Sequence, residues 1–205
     1  STQFYSGAVL PGGAIFFGGK QDNGTLRGSL TAPRSWIRLR GGDGAAVAAD
    51  PRDPNRILVS TQNFGLARSL NGGKTFLNAL SGILEPSGNF AFIAPLAMDV
   101  KNPDRLYAGG RVLWRSTNQA ASWVAMSTQL PASLGYVSAI GVSPSDGAKV
   151  IYSTSQGYVL RTGNALEASD TTEWESSRPR SGYTSAVTFD PEDSNTVYVV
   201  YSQFN

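Results

Sequence analysis

The 205-residue chain contains no cysteine and no histidine. The first absence removes disulfides and thiolate nucleophiles, and the two together remove Cys/His zinc sites and any Ser/His triad. Chemistry therefore falls to carboxylates, Tyr, Lys, Arg or a bound ion. Charge is also scarce: Asp, Glu, Lys and Arg make up 16% of the residues, against roughly 25% in soluble domains. The net charge of +2 comes without a Lys/Arg cluster, which gives no electrostatic footprint for nucleic acid. No apolar run approaches the roughly 20 residues that span a membrane, and the segment after Ser1 lacks a signal peptide's charged start and apolar core. The chain starts as a mature protein or an excised piece would. Its neutral surface, rich in Ser, Thr, Asn and Gln, is common among secreted, periplasmic and cell-surface proteins, and such a location is the expectation here.

Present instead is a phrase written twice. Arg68-Ser69-Leu70-Asn71-Gly72-Gly73-Lys74-Thr75-Phe76 recurs 47 residues on as Arg115-Ser116-Thr117-Asn118-Gln119-Ala120-Ala121-Ser122-Trp123. Before each copy lies a second phrase, a short apolar run ending in an acid or Ser, then a turn, then a β-branched or aromatic run. Its anchors are Asp50, Asp99, Ser143 and Asp190, spaced by 49, 44 and 47 residues. That period belongs to propeller blades and is too long for most solenoid repeats. The 23 glycines and 11 prolines lie between the apolar runs, as many tight turns require.

Within a unit the pattern has period two, so the second unit reads as strands at 46–50, 57–61, 65–69 and 75–79. The first unit reads as strands at 4–9, 14–18, 25–29 and 36–39. No stretch of ten or more residues shows helical periodicity. The expectation is an all-β protein, a β-propeller of four-stranded antiparallel blades in a single domain. Blades are expected at about 1–42, 43–81, 92–130 and 136–180, with a partial blade at 183–205. About four and a half blades leave open strand edges, so either the chain is a piece of a longer protein that supplies the missing blades, or a homodimer completes itself.

The phrase Ser69-Leu70-Asn71-Gly72-Gly73-Lys74-Thr75-Phe76 resembles the Asp-box, or BNR repeat, of sialidase-like and sortilin-like propellers; Ser116, Asn118, Ser122 and Trp123 keep its ends and lose its glycines. The resemblance implies a structural turn between the third and fourth strands, and the residue types agree, since Asn mimics a backbone turn and Gly supplies positive φ. Trp36, Phe76, Trp123 and Trp174 form the matching aromatic column, expected to pack between blades. A second stretch, Gly18-Gly19-Lys20-Gln21-Asp22-Asn23-Gly24-Thr25, followed by Trp36 and by Gly41-Gly42-Asp43-Gly44 ahead of Asp50-Pro51, resembles secreted bacterial repeat proteins of the BNR or xyloglucanase-like group.

Blade topology puts the first-to-second and third-to-fourth strand links at one end of each sheet, and the remaining links at the other. The second end carries Asp22 and Asp43, the candidate catalytic pair, since glycoside hydrolysis requires two carboxylates. Both also suit plain turns, and with Asn23 they offer oxygen ligands for a Ca²⁺ ion, short of the usual six to eight. Candidate ligand-binding residues at that end are Gln21, Asn23, Gln62, Asn63, Phe64, Arg111, Gln156 and Tyr158. The segment 81–92, with Glu85, Asn89, Phe90 and Phe92, is expected to wall a groove. Three functions remain open. One is an extracellular binding or scaffold propeller recognising a polysaccharide or a protein; another is a fragment of a secreted, xyloglucanase-like glycoside hydrolase; the third, implied by the similar boxes of those families, is an assembly-factor or sorting-receptor propeller. Neither a three-arginine carboxylate clamp nor a Tyr/Glu nucleophile pair is evident, which argues against a sialidase.

Overall fold

Short alternating apolar runs, cut by Gly, Pro and Asx turns, fold as strands almost throughout. The computed structural model describes residues 3–202. Residues 1–2 of the expected first blade and 203–205 of the expected half blade lie outside the described residues. Among the described residues the helical elements are single 3-10 turns at Gln62–Phe64, Ser87–Asn89 and Ala132–Leu134. The chain divides into two compact units: one runs to Ser81 and includes Phe92–Ala94, the other takes Gly82–Ala91 and the chain from Pro95 on.

In the first unit, β1 (Phe4–Val9), β2 (Ile15–Lys20), β3 (Gly24–Ser29) and β4 (Ile37–Arg40) form one sheet in chain order. The next sheet is β5 (Gly44–Ala49), β6 (Ile57–Thr61), β7 (Ala67–Ser69) and β8 (Leu77–Asn78). The second unit holds β9 (Leu96–Met98), β10 (Leu106–Gly109), β11 (Leu113–Ser116) and β12 (Val124–Ala125), then β13 (Val137–Val142), β14 (Val150–Thr154), β15 (Val159–Thr162) and β16 (Glu175–Ser177). It ends with the pair β17 (Thr184–Phe189) and β18 (Val197–Tyr201). Neighbouring strands are antiparallel in every sheet.

Departures from the expected strand limits have local causes. The strand expected at 75–79 shrinks to Leu77–Asn78 because the Thr75 N–H is spent on Asn71 Oδ1 at 2.9 Å. The one expected at 65–69 starts at Ala67, since the Gly65 and Leu66 N–H groups close a tight turn onto the carbonyls of Gln62 and Phe64. The strand expected at 46–50 begins two residues earlier, at Gly44, through an irregular pairing between Gly44 and Val47.

Side-chain alternation then assigns faces. Phe17 turns into a core with Leu10, Val47, Ile57 and Val59, against which Leu39 and Phe76 also pack. Its neighbour Phe16 points the other way and packs edge-on against Trp36, with ring centroids 5.1 Å apart. In the second unit Tyr107, Leu113, Met126, Val137, Tyr152 and Trp174 share one cluster, and Ile151, Val159, Val187 and Phe189 share another. Full burial of each such side chain contributes about 1.5–3 kcal/mol. The aromatic column is uneven. Trp123 and Trp174 are buried at 3% and 9% exposure, and Trp174 Nε1 donates to the Met126 carbonyl at 2.9 Å, whereas Trp36 is 41% exposed.

The four anchors behave alike. Asp50, Asp99 and Ser143 are buried, and each accepts a backbone N–H from two or three residues ahead, as does Asp190. The anchor's own N–H donates in turn to the carbonyl six residues on, Arg56, Arg105, Lys149 or Thr196. The buried carboxylates carry cationic partners as such groups must: Arg52 lies 2.9 Å from Asp50 and Arg105 lies 2.7 Å from Asp99.

Candidate functional site

Three links of the first unit meet at one end of its sheets. The β2–β3 link presents Gln21, Asp22 and Asn23, all exposed. Asp22 takes the left-handed conformation at φ 59°, which Asp tolerates better than most residues. Its N–H donates to Asp43 Oδ1 at 2.7 Å, so the β4–β5 link is hydrogen-bonded directly to the β2–β3 link. The Asp43 N–H donates in turn to Gln62 Oε1 at 3.2 Å, which brings in the 3-10 turn after β6. Asn23 Nδ2 closes its own turn on the Gln21 carbonyl at 2.9 Å. Asn63 is exposed at φ 55°, and its N–H donates to the Phe92 carbonyl at 3.0 Å.

Backbone proximity makes this convergence. A Cβ on Gly19 would collide with the Ala45 carbonyl oxygen, and one on Gly44 with the Gly24 carbonyl oxygen. The glycines of both stretches therefore let two neighbouring sheets touch main chain to main chain, and Asp22 and Asp43 are carried into hydrogen-bonding range as a result.

Of the expected ligand-binding residues, Gln21, Asn23, Gln62 and Asn63 join Asp22 and Asp43 on this rim. Phe64 departs from that expectation. At 2% exposure and φ 61° its ring is folded into the interior, because two consecutive left-handed residues reverse the chain there. Arg111, in the second unit, departs as well: its Nε and Nη2 both donate to the Leu130 carbonyl, at 3.1 and 2.5 Å, so its guanidinium fastens a neighbouring loop. Gln156 and Tyr158 form a separate group in that unit. Arg178 lies 4.9 Å over the Tyr158 ring and its Nε donates to the Gln156 carbonyl at 3.0 Å. Arg178 had no signal in the sequence beyond its place in a long link.

Within the expected groove wall, Glu85 is an internal clamp. It accepts the backbone N–H of Arg111 and the indole N–H of Trp114, the latter at 2.9 Å. Phe90 is buried, whereas Phe92 is 51% exposed. No group of three or more acids that could hold a metal occurs among the described residues.

The repeated phrase lies at the opposite sheet end and forms the same turn twice. Ser69 Oγ and Asn71 Oδ1 accept the N–H groups of Gly73 and Thr75, both at 2.9 Å, and Asn71 Nδ2 donates to Thr75 Oγ1 at 2.8 Å. Ser116, Asn118, Ala120 and Ser122 reproduce these bonds at 2.9 Å each. Gln119 and Ala120 stand at φ 56° and 59°, where the first copy has Gly72 and Gly73 at 72° and 87°. Each turn is also tied to the first-to-second strand link of its own sheet, Gly72 to the Asn55 carbonyl and Gln119 to that of Asp104.

Four-stranded antiparallel sheets running in chain order from first strand to last are propeller blades, and the fold is that of a β-propeller. No family model and no curated protein matches the sequence. Among solved structures the chain is similar to an ancestral GH74 enzyme, with a TM-score of 0.75 and 16% identity over 98% of this chain and 30% of that one. It is also similar to the GH74 xyloglucanase from Xanthomonas campestris, with a TM-score of 0.71 and 17% identity over 95% of this chain and 35% of that one. The chain thus spans about a third of the length of those enzymes. No helix among the described residues is long and apolar enough to cross a membrane.

Proposed function

We propose that the chain recognises a polysaccharide of the β-glucan or xyloglucan type, outside the cytoplasm, as part of a glycoside-hydrolase-like propeller. The observation that carries this reading is the rim of Asp22, Asp43, Gln62 and Asn63, four polar residues from three links joined by hydrogen bonds at one open end of the first unit. Carboxylates and amides presented side by side match the hydroxyls of a sugar chain. The fold likeness to a xyloglucanase supports the substrate class. In this reading the twice-written phrase is an Asp-box in the BNR-repeat sense and serves as a fastening at the far end.

A second reading makes Asp22 and Asp43 the acid and base of hydrolysis. The likeness to GH74 enzymes favours it; the engagement of Asp43 Oδ1 by a backbone N–H favours recognition. Calorimetry of the full chain with xyloglucan and cello-oligosaccharides, run beside a reducing-end assay, separates the two. Binding that is lost in Asp43→Asn and Gln62→Ala supports recognition. Turnover that disappears in both Asp22→Asn and Asp43→Asn supports hydrolysis. Absence of binding to either oligosaccharide at millimolar concentration removes the polysaccharide reading.

A further inference from the structure

We propose that Phe92 is a sugar-stacking residue of this rim, the apolar platform on which a pyranose ring rests while the neighbouring amides and carboxylates take its hydroxyls. The inference rests on the polysaccharide reading above. Phe92 is 51% exposed, although Phe90 and Phe64 beside it are at 6% and 2%. The three residues Phe92–Ala94 belong to the first unit while the chain on both sides of them belongs to the second. What holds them there is visible: the Phe92 carbonyl accepts the Asn63 N–H at 3.0 Å. The left-handed pair Asn63 and Phe64 turns one side chain outward and the other inward, so Asn63 and Phe92 are adjacent and exposed. From Asn63 the rim continues through Gln62 and Asp43 to Asp22.

An exposed aromatic residue whose main chain is bonded to a link carrying amides, and through it to the carboxylates of the rim, suits a ligand that is apolar on its C–H face and polar at its edge, which describes a pyranose ring. Other aromatics are engaged elsewhere: Tyr198, 52% exposed, donates its hydroxyl to Asp190 Oδ2 at 2.8 Å. Trp36 packs on Phe4 and Phe16, at centroid distances of 5.9 and 5.1 Å, on a sheet face floored by Gly18 and Gly28. Tyr158 is covered by the Arg178 guanidinium.

The test is calorimetric titration of the full chain with a xyloglucan oligosaccharide and a cello-oligosaccharide, in the natural form and as Phe92→Ala, Phe92→Leu and Phe92→Trp. Phe92→Ala and Phe92→Leu are expected to weaken binding about tenfold, the scale of losing one aromatic contact, while Phe92→Trp retains it. Leu preserves apolar bulk without a ring face, so it decides the matter if the Ala variant melts lower. Natural-strength binding by the Leu variant overturns this inference and leaves the polysaccharide reading standing. Failure of the natural chain to bind either oligosaccharide overturns both.

Discussion

At the residue scale, the two copies of the repeated phrase show what a motif residue is for. Asn71 and Asn118 each spend the side-chain carbonyl oxygen and the amide nitrogen on closing a turn. The second copy keeps every bond after losing both glycines, with Gln119 and Ala120 accepting left-handed backbone. Side-chain hydrogen bonding at the turn therefore outweighs a backbone cost of roughly 1–2 kcal/mol per residue. Asn71→Ala is expected to lower stability by about 0.5–2 kcal/mol, as loss of a cap does. Asn71→Asp keeps the acceptor and is expected to stay within about 0.5 kcal/mol of the natural chain. Urea denaturation of the two variants measures this, and equal losses would contradict it.

Elements are held by the same economy of single side chains. The link after β5 is organised by Asp50, 1% exposed. Burial alone would raise its carboxyl, but hydrogen bonds from the Arg52 side chain and backbone, with the charges of Arg52 and Arg56, outweigh burial and hold it below the usual carboxylate range. A folded-state value below the unfolded one means that the folded chain binds fewer protons, so stability falls as pH falls. The contribution is complete above the unfolded value near 3.9 and is lost as pH drops through the folded one. Thermal melts from pH 7 to pH 2.5 should show Asp50→Asn less stable by about 1–3 kcal/mol at neutral pH, with the gap closing below about pH 4. A gap independent of pH would contradict the assignment. Glu85 plays the corresponding part for the irregular segment after β8, which it joins to Arg111 and Trp114.

Across whole sheets, the decisive residues are those without side chains. Gly19 and Gly44 stand where the main chains of two neighbouring sheets meet, and a Cβ at either would strike a carbonyl oxygen. Gly44→Ala is expected to cost at least about 2 kcal/mol, since overpacking of a close-packed contact is relieved only by moving backbone. Thermal denaturation checks the loss, and a proton resonance of the Asp22 amide that shifts toward a solvent-exposed position checks the broken bond to Asp43. A natural melting temperature in Gly44→Ala would refute the close-contact account.

How much of this was legible in the chain follows from the range of each interaction. The all-β architecture, the blade repeat and the turn role of Ser69, Asn71 and Thr75 were legible because strand alternation and turn chemistry act over two to five residues, within one stretch of sequence. Strand limits were legible only to within two residues, because a turn such as that at Asn71 competes with the adjoining strand for the same N–H groups. Where the sequence showed merely an aromatic or a cation near a link, contacts across many residues decided the outcome. Phe64 went inward on a pair of left-handed residues, Arg111 was taken by a carbonyl 19 residues away, and Phe92 was brought beside Asn63 at the rim. The amino-acid sequence by itself determined the blades, since each is a local meander with its own turns. Which side chains reach the surface together was decided only by tertiary structure, through packing between segments that no local pattern encodes.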